Sequence, residues 1–187
     1  LAQLRDNKPI VEEIVQLMAL REQVVSEHIP RPLKLNAANS VLKTHAYYKA
    51  EELLAALGWL GDPAGSDRAP KPSTFREGVA WIPSRQVDLF FVTLKKHARH
   101  FNPSTMYHDY AVSPSEFHWE SQSRTSEESP TGQRYINHRD RGSDVVLALR
   151  DLNENEFGSG APFFLAGPMD FISTKGDRPM AITWSLQ

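Results

Sequence analysis

The chain has 187 residues, 40% of them hydrophobic and 24% charged; it is long enough to bury a core and fits one domain, or one domain with a helical appendage. A formal net charge of −2 and a pI near 6.4 exclude a strongly basic nucleic-acid tail while leaving room for a local basic groove. The absence of cysteine excludes disulfides, a thiolate nucleophile and cysteine-ligated zinc.

From Pro9 to Ile29 the apolar residues Ile10, Ile14, Leu17, Val24 and Val25 recur at helical spacing, with Glu12, Glu13, Arg21, Glu22 and Glu27 on the other face. Pro9 suits a first helical turn, and His28 to Pro32 ends the helix because each X-Pro bond turns the preceding residue away from helical angles. A second helix is predicted from Lys49 to Leu57, with Glu51 and Glu52 near its positive end and Gly58 as its stop. Leu60 to Thr74, dense in Gly, Pro, Asp and Lys, reads as a loop.

Beyond it the period shortens. Val79–Ile82 and Asp88–Leu94 read as strands, the second apolar enough to be buried on both faces. The stretch HARHFNPSTMYHDYAVSP reads as a long irregular connection. In FHWESQ, Phe117, Trp119 and Ser121 alternate with His118, Glu120 and Gln122. Strands follow at Asp144–Leu149, Pro162–Ala166, Met169–Ser173 and Met180–Leu186, with KGDRP as the turn of a closing hairpin. About six strands after a helical third predict an α+β fold. Its parts are a helical N-terminal part and linker, residues 1–74, and a β-rich recognition domain, residues 75–187. The latter is expected as a small, mostly antiparallel β-barrel or a strongly twisted sheet.

No stretch is long and apolar enough to span a membrane, and LAQLRDNKPIVEE lacks a signal-peptide pattern, so a cytoplasmic location without a membrane partner is expected. A chain opening at Leu1 without an initiator methionine is expected of a fragment of a longer protein.

Most catalytic chemistry finds no support. His118-Trp119-Glu120 imitates the H-x-E element of zinc deaminases, but the cysteines completing that site are missing. His97 and His100 lack a nearby carboxylate to complete a metal set. There is no G-x-S-x-G, H-E-x-x-H or P-loop, and no glutamate has lysine two positions later, as a restriction-type nuclease requires. The expectation is a binding protein, not an enzyme, with no cofactor and no metal.

Binding chemistry fares better between Tyr107 and Arg150. Reading a base or an altered backbone group takes flat apolar walls, directional side chains and cations for phosphates. Tyr107, Tyr110, Trp119 and Tyr135 offer walls, Ser121 and Gln122 directional contacts, and Arg124, Arg134, Arg139 and Arg141 charge. Each has an ordinary reading too. Trp119 fits a core position, Gln122 and Arg124 a solvated strand face, and Tyr135 with His138 one helical turn whose Tyr packs inward. Lys95, Lys96, His97, Arg99 and His100 fit either a phosphate track or a protected sheet edge.

The strings DLFFVTLKK, FNPSTMYHDYAVSPSEFHWESQSRTSEESPTGQRYINH, VVLALR, PFFLAGPMDF and GDRPMAITWSL closely resemble a bacterial domain of unknown function. That domain occurs at the C-terminus of DEAD/DEAH-box helicases of restriction or defence type, often behind a phospholipase-D-like nuclease segment. HAYYKAEELLAALG, His45 to Gly58, resembles its opening helix, and the likeness covers Leu42 to Leu186. Lys49 departs from the Ser or Thr usual there and removes a capping side chain. Val146 to Arg150 lacks the phenylalanine usual in that strand.

The resemblance implies a PUA-like barrel and a sensor of marked or foreign DNA. It supports a specificity module that recognises modified DNA, either an altered base or a phosphorothioate backbone, for helicase and nuclease domains of a longer chain or complex. In the base case Trp119 and Tyr107 stack on the target while Gln122 and Ser121 read its edge. In the backbone case an apolar pocket takes the sulfur and Arg124 or Arg134 holds the flanking phosphates. Two rivals stand beside it: a module docking on its helicase without reading DNA, and a hydrolase using His118 or His138 with Glu120.

Overall fold

The structure, a computed structural model, describes residues 8–27, 29–36, 39–59, 75, 77–95, 109–154 and 158–187. Contacts divide the chain into two units, residues 1–31 and 32–187. The first is built on helix α1 (Lys8–Glu27), close to the span its periodicity predicts. Ile10, Ile14 and Leu17 on it are exposed.

In the second unit β1 (Arg31–Lys34) and β2 (Asn39–Thr44) pair as a two-stranded sheet. There follow β3 (Tyr47–Tyr48) and helix α2 (Ala50–Ala56), then β4 (Val79–Ile82) and β5 (Val87–Thr93). Strands β6 (Tyr110–Ser113) and β7 (Glu116–Glu120) lead to helix α3 (Pro130–Ile136). Three strands close the chain: β8 (Asp144–Arg150), β9 (Phe163–Lys175) and β10 (Ala181–Leu186). The eight-stranded sheet runs β4-β5-β8-β9-β10-β7-β6, with β3 added on β9. All its pairs are antiparallel except β5 with β8, which is parallel.

Alternation along β5 explains the layering. Val87 and Leu89 enter one core with Leu53, Leu54 and Leu57 of α2 and with Leu33 and Leu42 of the small sheet. Phe90 and Val92 point to the opposite face, into a second core with Phe117, Trp119, Tyr135, Met180 and Trp184. Residues 39–57 thus share a core with the strands beyond residue 75, and the boundary expected at 74/75 falls inside one compact unit. The loop predicted for Leu60–Thr74 lies outside the described residues.

The sheet curls without closing. Trp119 of β7 lies with its ring centroid 4.2 Å from that of Phe90 of β5, although β8, β9 and β10 separate those strands in the sheet. Tyr135 of α3 touches Phe90, Trp119 and Trp184, so the helix fills the concave side between the two arms. Among the described residues no ladder joins β4 to β6, so of the two expected forms the barrel, PUA-like or otherwise, gives way to an open, bent sheet.

Other differences have local causes. β6 lies in the stretch read as irregular; three of its four residues are exposed, so it carries no apolar alternation and takes its ladder bonds from β7. The two strands expected at 162–166 and 169–173 are one, β9, whose register with β8 shifts beside Gly167. At α2 the Lys49 ammonium has no lone pair to accept a bond, yet Glu52 Oε2 accepts the Lys49 backbone N–H at 2.7 Å, so half of a capping box forms.

Candidate functional site

The turn after helix α3 borders a cleft. Ser129 caps the helix, its hydroxyl accepting the Gly132 N–H at 3.1 Å and donating to the Ser126 carbonyl at 2.6 Å, and Pro130 opens the first turn. Past the helix, His138 turns inward against Trp184 and Arg139 outward. The Phe171 backbone N–H donates to His138 Nε2 at 3.2 Å, so that nitrogen carries no proton. Nδ1 is the protonated one and donates to the Ser143 carbonyl at 3.3 Å. Burial holds the imidazole below its ordinary range; Ser143, Asp170 and Asp144 work against that, while Arg139 adds to it.

The cleft beside this turn has a volume of about 330 Å³. Pro168, Met169 and Asp170 of β9, Asp144 of β8, and His138 with Arg139 line it, and Asn36 and Gln187 complete it. Asn36 grips Asp144 twice, its backbone N–H donating to Oδ2 and its side-chain amide to Oδ1, each at 2.8 Å. Burial raises the Asp144 carboxyl and the Asn36 backbone bond partly offsets it. The Arg139 guanidinium donates to Asp170, which also accepts the Gln187 amide at 2.7 Å. The bond from Arg139 holds the Asp170 carboxyl below its ordinary range, against the effect of burial. Two carboxylates, one of them paired with a guanidinium, therefore line the cleft beside an imidazole whose Nε2 carries no proton, with Met169 and Pro168 as the apolar part.

The residues singled out from the sequence are not gathered into one hollow. Trp119 and Tyr135 are buried core rings, not open walls, because Phe90 and Trp184 cover them. Ser121 is buried as well: its hydroxyl accepts the Met180 N–H at 2.9 Å and donates to the Gln122 carbonyl at 3.2 Å, fixing β7 to the closing hairpin. Arg134 is turned to Asp88, which it grips through Nε at 2.6 Å and a terminal nitrogen at 2.9 Å, with its guanidinium 4.2 Å over the Trp81 ring. That pairing takes it away from phosphates. Gln122 is half-buried and Arg124 exposed, both in the β7–α3 connection and off the cleft. Arg139 alone of the set lines it, 68% exposed. Tyr107 lies outside the described residues.

Asn36, Asp144, Asp170 and Gln187 escaped the sequence reading. Asn36 and Asp144 are 108 residues apart, and nothing local marks the pair. Asp144 and Asp170 did carry a signal, as single acids set in apolar strands, where a carboxylate is buried only with partners.

No curated protein matches the chain significantly. About 60% of it superimposes on the 5-hydroxymethylcytosine-specific restriction enzyme AbaSI, with 11% sequence identity and a TM-score of 0.35, and it covers 32% of that protein. The likeness is distant. Residues 42–187 match a domain of unknown function, DUF3427, and the chain belongs to that family.

Proposed function

We propose that this protein is a DNA-binding specificity module that recognises a modified duplex, with the cleft between the turn after α3 and β9 as its reading site. The observation that carries this is the cleft's fixed polar lining: Asp144 clamped by Asn36, and Asp170 clamped by Arg139 and Gln187. Groups held in place before binding discriminate ligands by leaving the wrong one unpaired. The low net charge supports the same reading, since weak attraction to bulk phosphate leaves discrimination to the cleft. The placement of Trp119 and Tyr135 in the core moves the proposed site away from the β7 strand. In this reading the protein binds DNA and leaves cutting to other domains.

The test is a titration of the 187-residue chain against matched duplexes, one unmodified, several base-modified and one phosphorothioated, at two salt concentrations. One modified duplex is expected to bind at least about tenfold tighter than the unmodified one, roughly 1.4 kcal/mol. Equal weak binding to all, erased by moderate salt, would overturn the reading in favour of a domain that docks on a helicase.

A further inference from the structure

We infer that the cleft takes a single extruded base carrying an exocyclic amino group, cytosine or adenine in class, and not an altered phosphate. This rests on the proposed reading of the domain and goes further by naming what enters. Asp144 and Asp170 share the cleft with Arg139, which is already bound to Asp170, and the Phe171 N–H donating to His138 Nε2 keeps that ring neutral. An anionic phosphorothioate entering here meets two carboxylates and a guanidinium whose charge is already matched. An amino group meets acceptors.

Each oxygen of Asp144 takes one bond from Asn36, and a carboxylate oxygen accepts two, so both retain acceptor capacity. A carboxylate accepting from an exocyclic amine is the pairing that separates cytosine from thymine. A carbonyl at the same ring position would put oxygen against oxygen, with no donor between them. A cleft of about 330 Å³ has room for a base, and a base reaches a cleft set into the protein surface by leaving the duplex. Met169 and Pro168 then provide the apolar contact for its ring.

The experiment compares four duplexes of one sequence: a central 5-hydroxymethylcytosine, 5-hydroxymethyluracil in the same place, N6-methyladenine, and an unmodified-base duplex with phosphorothioate linkages. The two hydroxymethyl bases are both placed opposite guanine. They share one substituent and differ in the amino or carbonyl group and the adjacent ring nitrogen, and the mismatch favours extrusion of the uracil form, against the expected result. An amino-bearing base is expected to bind at least tenfold tighter than both the uracil form and the phosphorothioate. Asp144→Asn, which keeps the shape but replaces an acceptor with a donor, is expected to bring that ratio close to one. Tightest binding by the uracil form or the phosphorothioate overturns the inference while leaving modified-DNA recognition standing. Binding of all four no tighter than an unmodified duplex overturns both. The wild-type comparison needs no variant, so a poorly folding Asp144→Asn does not blunt it.

Discussion

Arg134 illustrates how one partner changes the meaning of a side chain. In sequence it is one of four arginines near a Ser/Thr-rich loop; in the fold its guanidinium neutralises Asp88, which is fully buried on β5. Burial pushes the Asp88 carboxyl up, and the two bonds from Arg134 oppose that shift. On the arginine side burial acts to lower the group, but the bond and charge of Asp88 outweigh it and hold it above its ordinary range. Removing one member of such a pair strands the other, which typically costs about 3–5 kcal/mol. Arg134→Ala should therefore lower the urea-unfolding free energy by about that amount, and Arg134→Met with Asp88→Leu by clearly less. His138 gives a second prediction at this scale. Its folded pKa is depressed, so the stability it contributes is present above the unfolded value of about 6.5 and is lost as pH falls through the folded one. The raised carboxyls of Asp88 and Asp144 act in the opposite sense, their contributions fading as pH rises, so the comparison needs a reference protein. The cost of His138→Gln, measured by urea unfolding, should be larger at about pH 7.5 than at about pH 5.5.

At the scale of elements, α3 is seated by backbone contact. A Cβ added at Gly132 would lie 2.0 Å from the Ser126 carbonyl oxygen and 3.0 Å from Met180 Sδ, so the helix would have to lift from the loop that caps it. Overpacking of this kind costs about 1–3 kcal/mol or more. Gly58 differs: it ends α2 at φ +71 with nothing within 4 Å of the added carbon, so only the left-handed conformation is penalised, by about 1–2 kcal/mol. Gly132→Ala should destabilise more than Gly58→Ala in paired thermal melts, and only the former should also weaken DNA binding, because α3 carries His138 and Arg139 to the cleft. The elements themselves were readable where burial follows chain period. β4, β5 and α2 lie within a residue of their expected limits and β7 ends two residues before its own, because one or both faces are buried and the apolar positions say so. β1, β2 and β6 are short and mostly exposed, so their residues leave no such trace.

For the whole molecule, the distribution of charge sets how the proposed module would approach DNA. Net charge is −2, and of the arginines proposed for phosphates Arg124 and Arg141 are exposed, whereas Arg134 is committed to Asp88 and Arg139 to Asp170. Two phosphate contacts would give a slope of about −2 in log K against log salt, far shallower than for a highly basic protein. Measuring that slope for the preferred duplex checks the account, and a slope steeper than about −6 would point to a basic surface elsewhere. The sequence alone determined the family, the order of most elements and which strand is buried on both faces, because periodicity and turn chemistry are local properties of the chain. Only the tertiary structure decided that Trp119 and Tyr135 face inward, that Arg134 belongs to Asp88, and that Asn36, Asp144, Asp170 and Arg139 line one cleft. Those outcomes depend on partners 31, 46 and 108 residues away, brought together by the curl of the sheet and the seating of α3. A side chain's type fixes what it is able to bond, while the path of the backbone fixes what it meets.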